Sequence, residues 1–273
     1  MQILKLYDTI KHMVKSSKKY IQCVHNTNKE VTPKETIYAI KNAGFDGVFL
    51  QWFNKDWEFS QEMQLELCRE LGLEISFVHL GYKNINSLWE DGEEGDLMID
   101  GYLNDFDVCK KHGIDMVVMH LSSKTDAKEP NKIGLERVKR LVKYAEKIGL
   151  KIAFENTKMW GYLEYIFENI KSKNIGICFD SGHCHAHYDD KFSWEFFKNK
   201  IFTVHLHDND KSSDQHLLPF DGTVNWELFE NKLREAGYTG PVVLESCYRR
   251  NYLEMNIDDF YKLSMERAKQ LKI

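Results

Sequence analysis

The chain has no run of about 18 apolar residues, so nothing in it reads as a membrane span. It has no excess of basic charge. The formal net charge is −5, which argues against a nucleic-acid partner held by bulk electrostatics. No C-x-x-C pair occurs among its six cysteines, Cys23, Cys68, Cys109, Cys178, Cys184 and Cys247. Several of these sit in apolar runs such as YIQCVH and IGICFD, so buried free thiols in a reducing cytosol are expected. The opening MQILKLYDTIKHMVKSS lacks the continuous apolar stretch and small-residue cleavage site of a secretory leader. A cytoplasmic protein is the resulting expectation. No linker or low-complexity stretch divides the chain. No G-x-G-x-x-G follows the first apolar run, which counts against an open dinucleotide-binding sheet.

What is present is a rhythm. AGFDGVFLQ at 43–51, LGLEISFVH at 71–79, HGIDMVVMH at 112–120, IGLKIAFE at 148–155 and AGYTGPVVLE at 236–245 repeat one phrase. In each, a glycine placed to cap a helix is followed by an apolar run of strand length. YIQCVH at 20–25, IGICF at 175–179 and IFTVHL at 201–206 bring the strand candidates to eight. Helical patterns fall near 33–43, 60–71, 97–112, 131–148, 225–236 and 256–271. Strands apolar on both faces that alternate with helices mean a parallel sheet. Eight such units in 273 residues fit one (β/α)8 TIM barrel, class α/β, as a single domain over 1–273. Residues 1–17 are expected to add a short helical extension near the barrel base.

The chemistry lies where the apolar runs stop. They end on His79, His120, Glu155, Asp180 and Glu245, and the seventh contains His205. In a parallel barrel these ends converge on one mouth. So many carboxylates and imidazoles in one place would repel or shift strongly in pKa unless a cation compensates them. His183 follows three residues after Asp180. The D-x-H pair of Asp214 and His216 puts both side chains on one side of an extended segment. His185, His187 and His207 crowd the same loops and are candidates to line the pocket, without being expected as ligands. His25 ends the first strand and is a candidate substrate contact, and Trp52 and Trp89 are candidates to stack on a sugar ring. Phe53, Trp57, Tyr82 and Trp160 are aromatics of the same kind. His12 and His112 read as surface residues of helices.

At these residues the chain resembles the xylose-isomerase-like TIM-barrel superfamily. The resemblance covers about residues 18–270. Its pieces are IAFEN at 152–156, FDSGH at 179–183, VHLHD at 204–208, DQHLLPFDG at 214–222 and VVLES at 242–246. Sugar and sugar-phosphate isomerases and epimerases belong to that group, and so does endonuclease IV. The tagatose- and psicose-type epimerases imply one divalent metal on Glu155, Asp180, His205 and Glu245. They also imply Glu155 and Glu245 as the general acid and base, and a substrate contact at His183. Endonuclease IV implies three zinc ions, with His79, His120, His183, Asp214 and His216 as additional ligands. Against a phosphodiester substrate stands the segment NSLWEDGEEGD, read as an acidic loop at the mouth with Glu90, Asp91, Glu93, Glu94 and Asp96.

The expected function is therefore a metal-dependent sugar or sugar-phosphate isomerase or epimerase. It would act by proton transfer beside a carbonyl that the metal polarises. The alternatives are a three-zinc phosphodiesterase and a dehydratase or lyase acting on inosose or dehydroshikimate. Mixed imidazole and carboxylate ligands suit manganese, zinc, iron or cobalt, as one ion and up to three. The expected partner is a small carbohydrate, with no nucleic acid and no membrane, and with a homo-oligomer as a further expectation.

Overall fold

All eight apolar runs become strands. The computed structural model describes residues 18–25, 31–52, 59–124, 127–188 and 193–273. Its strands are β1 (Tyr20–Val24), β2 (Gly47–Trp52), β3 (Glu74–Leu80), β4 (Met116–Met119), β5 (Lys151–Glu155), β6 (Ile175–Asp180), β7 (Ile201–His205) and β8 (Val242–Leu244). All pairings are parallel, each strand lies beside its sequence neighbours, and β1 also pairs with β8. Just past β7, Leu206 bridges to Leu244 and closes the circle. The Leu206 amide donates to the Val243 carbonyl at 2.9 Å, and the Glu245 amide to the Leu206 carbonyl at 3.0 Å. The chain is a (β/α)8 barrel, as its rhythm predicts.

Helices alternate with the strands: α1 (Pro33–Ala43), α2 (Gln61–Glu70), α3 (Glu93–Lys111), α4 (Lys132–Ile148), α5 (Gly161–Asn169), α6 (Ser181–His187), α7 (Trp194–Phe197), α8 (Trp226–Glu235) and α9 (Ile257–Gln270). Thr32 and Glu35 form a capping box that starts α1. The glycine at the end of α1, Gly44, has φ +90°, and the one at the end of α4, Gly149, has φ +68°. Both lie in the left-handed region where a side chain would be strained. The expected extension over 1–17, with His12, lies outside the described residues.

One expectation needs correction. The acidic stretch is not an open loop. It forms a 3-10 turn over Ile85–Trp89 and then the first turn of α3, which starts at Glu93. Glu93, Glu94 and Asp96 sit there because the positive end of the helix dipole favours carboxylates. Asp96 is also paired with Arg137 at 3.1 Å and Arg140 at 2.8 Å. Two of the carboxylates, Glu90 and Glu94, still line a cavity of about 460 Å³ beside the mouth.

This segment is held by Arg137 of α4. The buried guanidinium donates to the carbonyls of Ser87 and Leu88 at 3.1 Å each, Glu90 at 2.6 Å and Gly92 at 2.7 Å. Beside it Trp89 is fully buried, and its indole N–H donates to the Leu121 carbonyl at 2.6 Å. A Cβ at Gly134 would collide with the Trp89 ring, so only glycine fits there. Replacing Arg137 would leave several buried carbonyls without a donor. We predict that Arg137→Ala lowers stability by roughly 3 kcal/mol, read as a drop in the urea midpoint. A loss under about 1 kcal/mol would contradict this role.

Candidate functional site

The register of the sheet lays the polar strand ends side by side. Gln51 is opposite His79 across β2 and β3, and Asp180 is opposite His205 across β6 and β7. Below them Phe49 and Phe77 form an apolar floor. Phe49 stacks on the His205 ring with centroids 4.9 Å apart, and Phe77 at 5.7 Å. The floor fixes the imidazole and keeps it dry.

Glu155 is the hub. Its Oε2 lies 3.1 Å from His79 Nε2, 3.1 Å from His205 Nδ1 and 3.5 Å from His120 Nε2, while its Oε1 lies 3.1 Å from His183 Nδ1. Burial pushes the Glu155 carboxyl up in pKa, but His205 and His120 outweigh it and hold it well below the usual range. Asp180 caps α6: its Oδ1 accepts from the His183 amide at 2.6 Å. This leaves Oδ2 facing His207 at 3.1 Å and His205 at 3.9 Å. Glu245 completes the ring, with Oε2 3.3 Å from His205 Nδ1 and Oε1 accepting from Gln51 Nε2 at 3.0 Å. Burial raises the Glu245 carboxyl, and His205 more than reverses that.

His205 Nδ1 thus faces three carboxylates, yet among the described residues neither nitrogen of this buried ring has a hydrogen-bond partner. The donor atoms of Glu155, Asp180, His205 and Glu245 all lie within 4.8 Å of one another. Three carboxylates and one imidazole around a common point, with the imidazole otherwise unsatisfied, are a donor set that fits a divalent ion.

A second group lies next to it. His207, Asp214 and His216 also bring donor atoms within 4.8 Å of one another. His216 Nε2 is 3.1 Å from Asp214 Oδ2, so the D-x-H pair does face one way. The chain bearing it is pinned by Asp208. That buried carboxylate accepts from the amides of Asn209, Phe220 and Val224 and from the Trp226 indole, at 2.8–3.0 Å. His216 itself has φ +48°, a strained value for a non-glycine residue. Its Nδ1 is 2.9 Å from the Glu245 carbonyl, which helps hold it there. Burial lowers the His183, His205 and His216 imidazoles, but the surrounding anionic groups raise all three well above the usual range.

His79, His120, Glu155, His183, Asp214, His216 and Glu245 all line one cavity of about 230 Å³, and His25 shares it. Burial, then His216 and Arg249, push the His25 imidazole down to about 4, so it is neutral near pH 7. Two expected residues are not brought there. Trp89 is sealed in the core beside α4. Trp52 is buried as well and takes no part in lining the cavity. It follows Gln51, whose side chain enters the mouth, and successive strand residues face opposite ways. Trp160 packs on Phe196 and Phe197. Phe53 and Trp57 lie outside the described residues. Tyr82 does reach the cavity and stacks on His120 at 4.2 Å.

Two lining residues, Gln51 and Arg249, are not expected from the sequence, and His207, expected near the pocket but not as a ligand, joins the second donor group. His207 is fully buried against Asp180, and a Cβ at Gly182 would occupy its ring. Its signal was the i, i+2 spacing from His205. Gln51 carried the same kind of signal, two residues after the inward Phe49. Arg249 also lines the cavity.

Comparison with known proteins places the chain in a family. An uncharacterised protein of Methanocaldococcus jannaschii is 35% identical over 118 residues, 39% of this chain and 40% of that protein. A 3-dehydroshikimate dehydratase of Pseudomonas putida is 24% identical over 233 residues, 78% of this chain and 36% of its own length. The chain thus spans well under half the length of these curated relatives. Among solved structures, a D-allulose 3-epimerase from Methylomonas sp. superposes with a TM-score of 0.73 at 17% identity, covering 93% of this chain and 97% of that one. A family model described as xylose isomerase-like TIM barrel matches residues 37–271, most of the chain, and the protein belongs to that family.

Proposed function

We propose that the protein is a divalent-metal-dependent isomerase or epimerase of a sugar or sugar phosphate. The observation that carries this reading is the convergence of Glu155, Asp180, His205 and Glu245 within one 4.8 Å cluster. These four would hold the ion, and manganese, zinc, iron or cobalt suits their chemistry. Bound there, the ion would supply a Lewis acid that polarises a substrate carbonyl.

The remaining chemistry belongs to the side chains. Glu155 and Glu245 come from separate strand ends, and both stay ionised through the neutral range. Either carboxylate can take a proton from a substrate carbon, and the other can give one back once it has itself gained a proton from a substrate hydroxyl or from solvent. Return to the opposite face of the same carbon inverts it; return to the neighbouring carbon moves the carbonyl. Gln51 aims Glu245 through its hydrogen bond. His183, at the cavity edge, and the neutral His25 are placed to hold substrate hydroxyls. The epimerase named among the similar structures supports a sugar substrate.

Two other readings each have one observation behind them. A dehydratase on the same site is favoured by the match to the Pseudomonas putida protein. A phosphodiesterase with further zinc ions is favoured by the His207, Asp214 and His216 group. Glu90 and Glu94 beside the mouth oppose an extended phosphodiester.

With metal restored, a panel of ketoses and their phosphates should contain a substrate, and Glu155→Gln should lower its turnover by roughly 10²-fold or more with the fold retained by circular dichroism. Full activity in that variant would refute the mechanism. Metal binding should also release protons. The raised imidazole pKa values mean that His183, His205 and His216 hold protons near neutral pH in the metal-free protein. An ion must displace protons from the imidazoles it binds, so affinity should fall as the pH is lowered, by about tenfold per unit for each proton displaced. Calorimetry in buffers of different ionisation enthalpy reads this directly. Binding with no proton release at pH 7 would contradict the charge assignment.

A further inference from the structure

Arg249 has no role in the chemistry above. It follows β8 and, among the described residues, is the only lysine or arginine lining the cavity that holds Glu155 and Glu245. Its Nε is sealed from solvent and has no hydrogen-bond partner among the described residues. A guanidinium beside so many carboxylates would ordinarily pair with one. Here they are engaged elsewhere. Glu155 and Glu245 face imidazoles and Gln51, and Asp214 faces His183 and His216. The neighbouring His25 is driven neutral, by burial and then by His216 and Arg249, and so adds no second positive charge.

A guanidinium presents its N–H donors in a planar fork that matches two oxygens of a carboxylate or phosphate. Held in the cleft with its Nε unpartnered among the described residues, it has donors of that fork to offer a ligand. The cavity measures about 230 Å³ and encloses both Arg249 and the mouth carboxylates. A single small molecule filling it would reach both.

We infer that Arg249 reads an anionic group of the substrate, a carboxylate or phosphate borne away from the reacting carbon. This rests on the carbohydrate reading and narrows it to acidic sugars. The neutral reacting end goes to Glu155 and Glu245, and the charged end to Arg249.

The test uses the metal-loaded full chain and three probes: D-fructose, D-fructose 6-phosphate and 5-keto-D-gluconate. Calorimetry should show one anionic probe binding roughly tenfold or more tightly than fructose. The preferred one identifies phosphate or carboxylate. Arg249→Gln should erase that preference while leaving fructose binding within about twofold and metal content per chain unchanged. Arg249→Lys should keep part of it, since the charge remains without the fork. A wild type with no preference, or a preference that survives Arg249→Gln, overturns the assignment. So does a loss of metal in Arg249→Gln with the preference intact, because the residue then only balances the acidic mouth. If fructose binds and is turned over without any anion preference, the enzyme reading stands and only this inference falls. If no ketose binds, both fall.

Discussion

A carboxylate buried among imidazoles is the interaction on which this barrel mouth depends. Glu155 is only 2% exposed. Taking such a charge out of water costs several kcal/mol unless opposite charge and hydrogen bonds compensate it. Four histidines from three other strand ends and one helix supply that compensation within 3.5 Å. The same arrangement repeats around Asp180, Glu245 and Asp214. The mouth alternates carboxylates with imidazoles, and its donor atoms lie close enough to share an ion.

The scaffold makes this arrangement rigid from below and from the side. The aromatic floor of Phe49 and Phe77 fixes His205. Asp180 spends one oxygen on capping α6, which sets the direction of the other. Asp208 ties the long connection after β7 so that Asp214 and His216 return to the rim. Arg137 does comparable work for the 85–92 segment. In each case a buried polar side chain satisfies backbone groups of an irregular segment, which could not otherwise be buried.

Much of this was legible in the sequence. Every apolar run became a strand, and five of the six expected helices match to within a residue at each end, because capping glycines and apolar periodicity are local signals. The convergence of the strand-end carboxylates and imidazoles was legible for the same reason, since a barrel fixes where strands end. What failed was parity and long-range packing. Trp52 was chosen over Gln51, although a shift of one residue moves a side chain to the other face. Trp89 looked like a mouth aromatic, and only its contacts with Leu121 and Gly134, far along the chain, make it core. The acidic stretch reads as a loop because it has no apolar periodicity, whereas the helix dipole holds its carboxylates on the first turn of α3. Helix α5 and Arg249 had no periodic signal to announce them.

The central claim is that Glu155, Asp180, His205 and Glu245 bind one ion in common. Anomalous X-ray scattering from crystals grown with manganese or zinc tests it most directly. The account predicts a peak within bonding distance of all four side chains. Metal-loaded crystals with no such peak, or with the ion bound away from these residues, would contradict it.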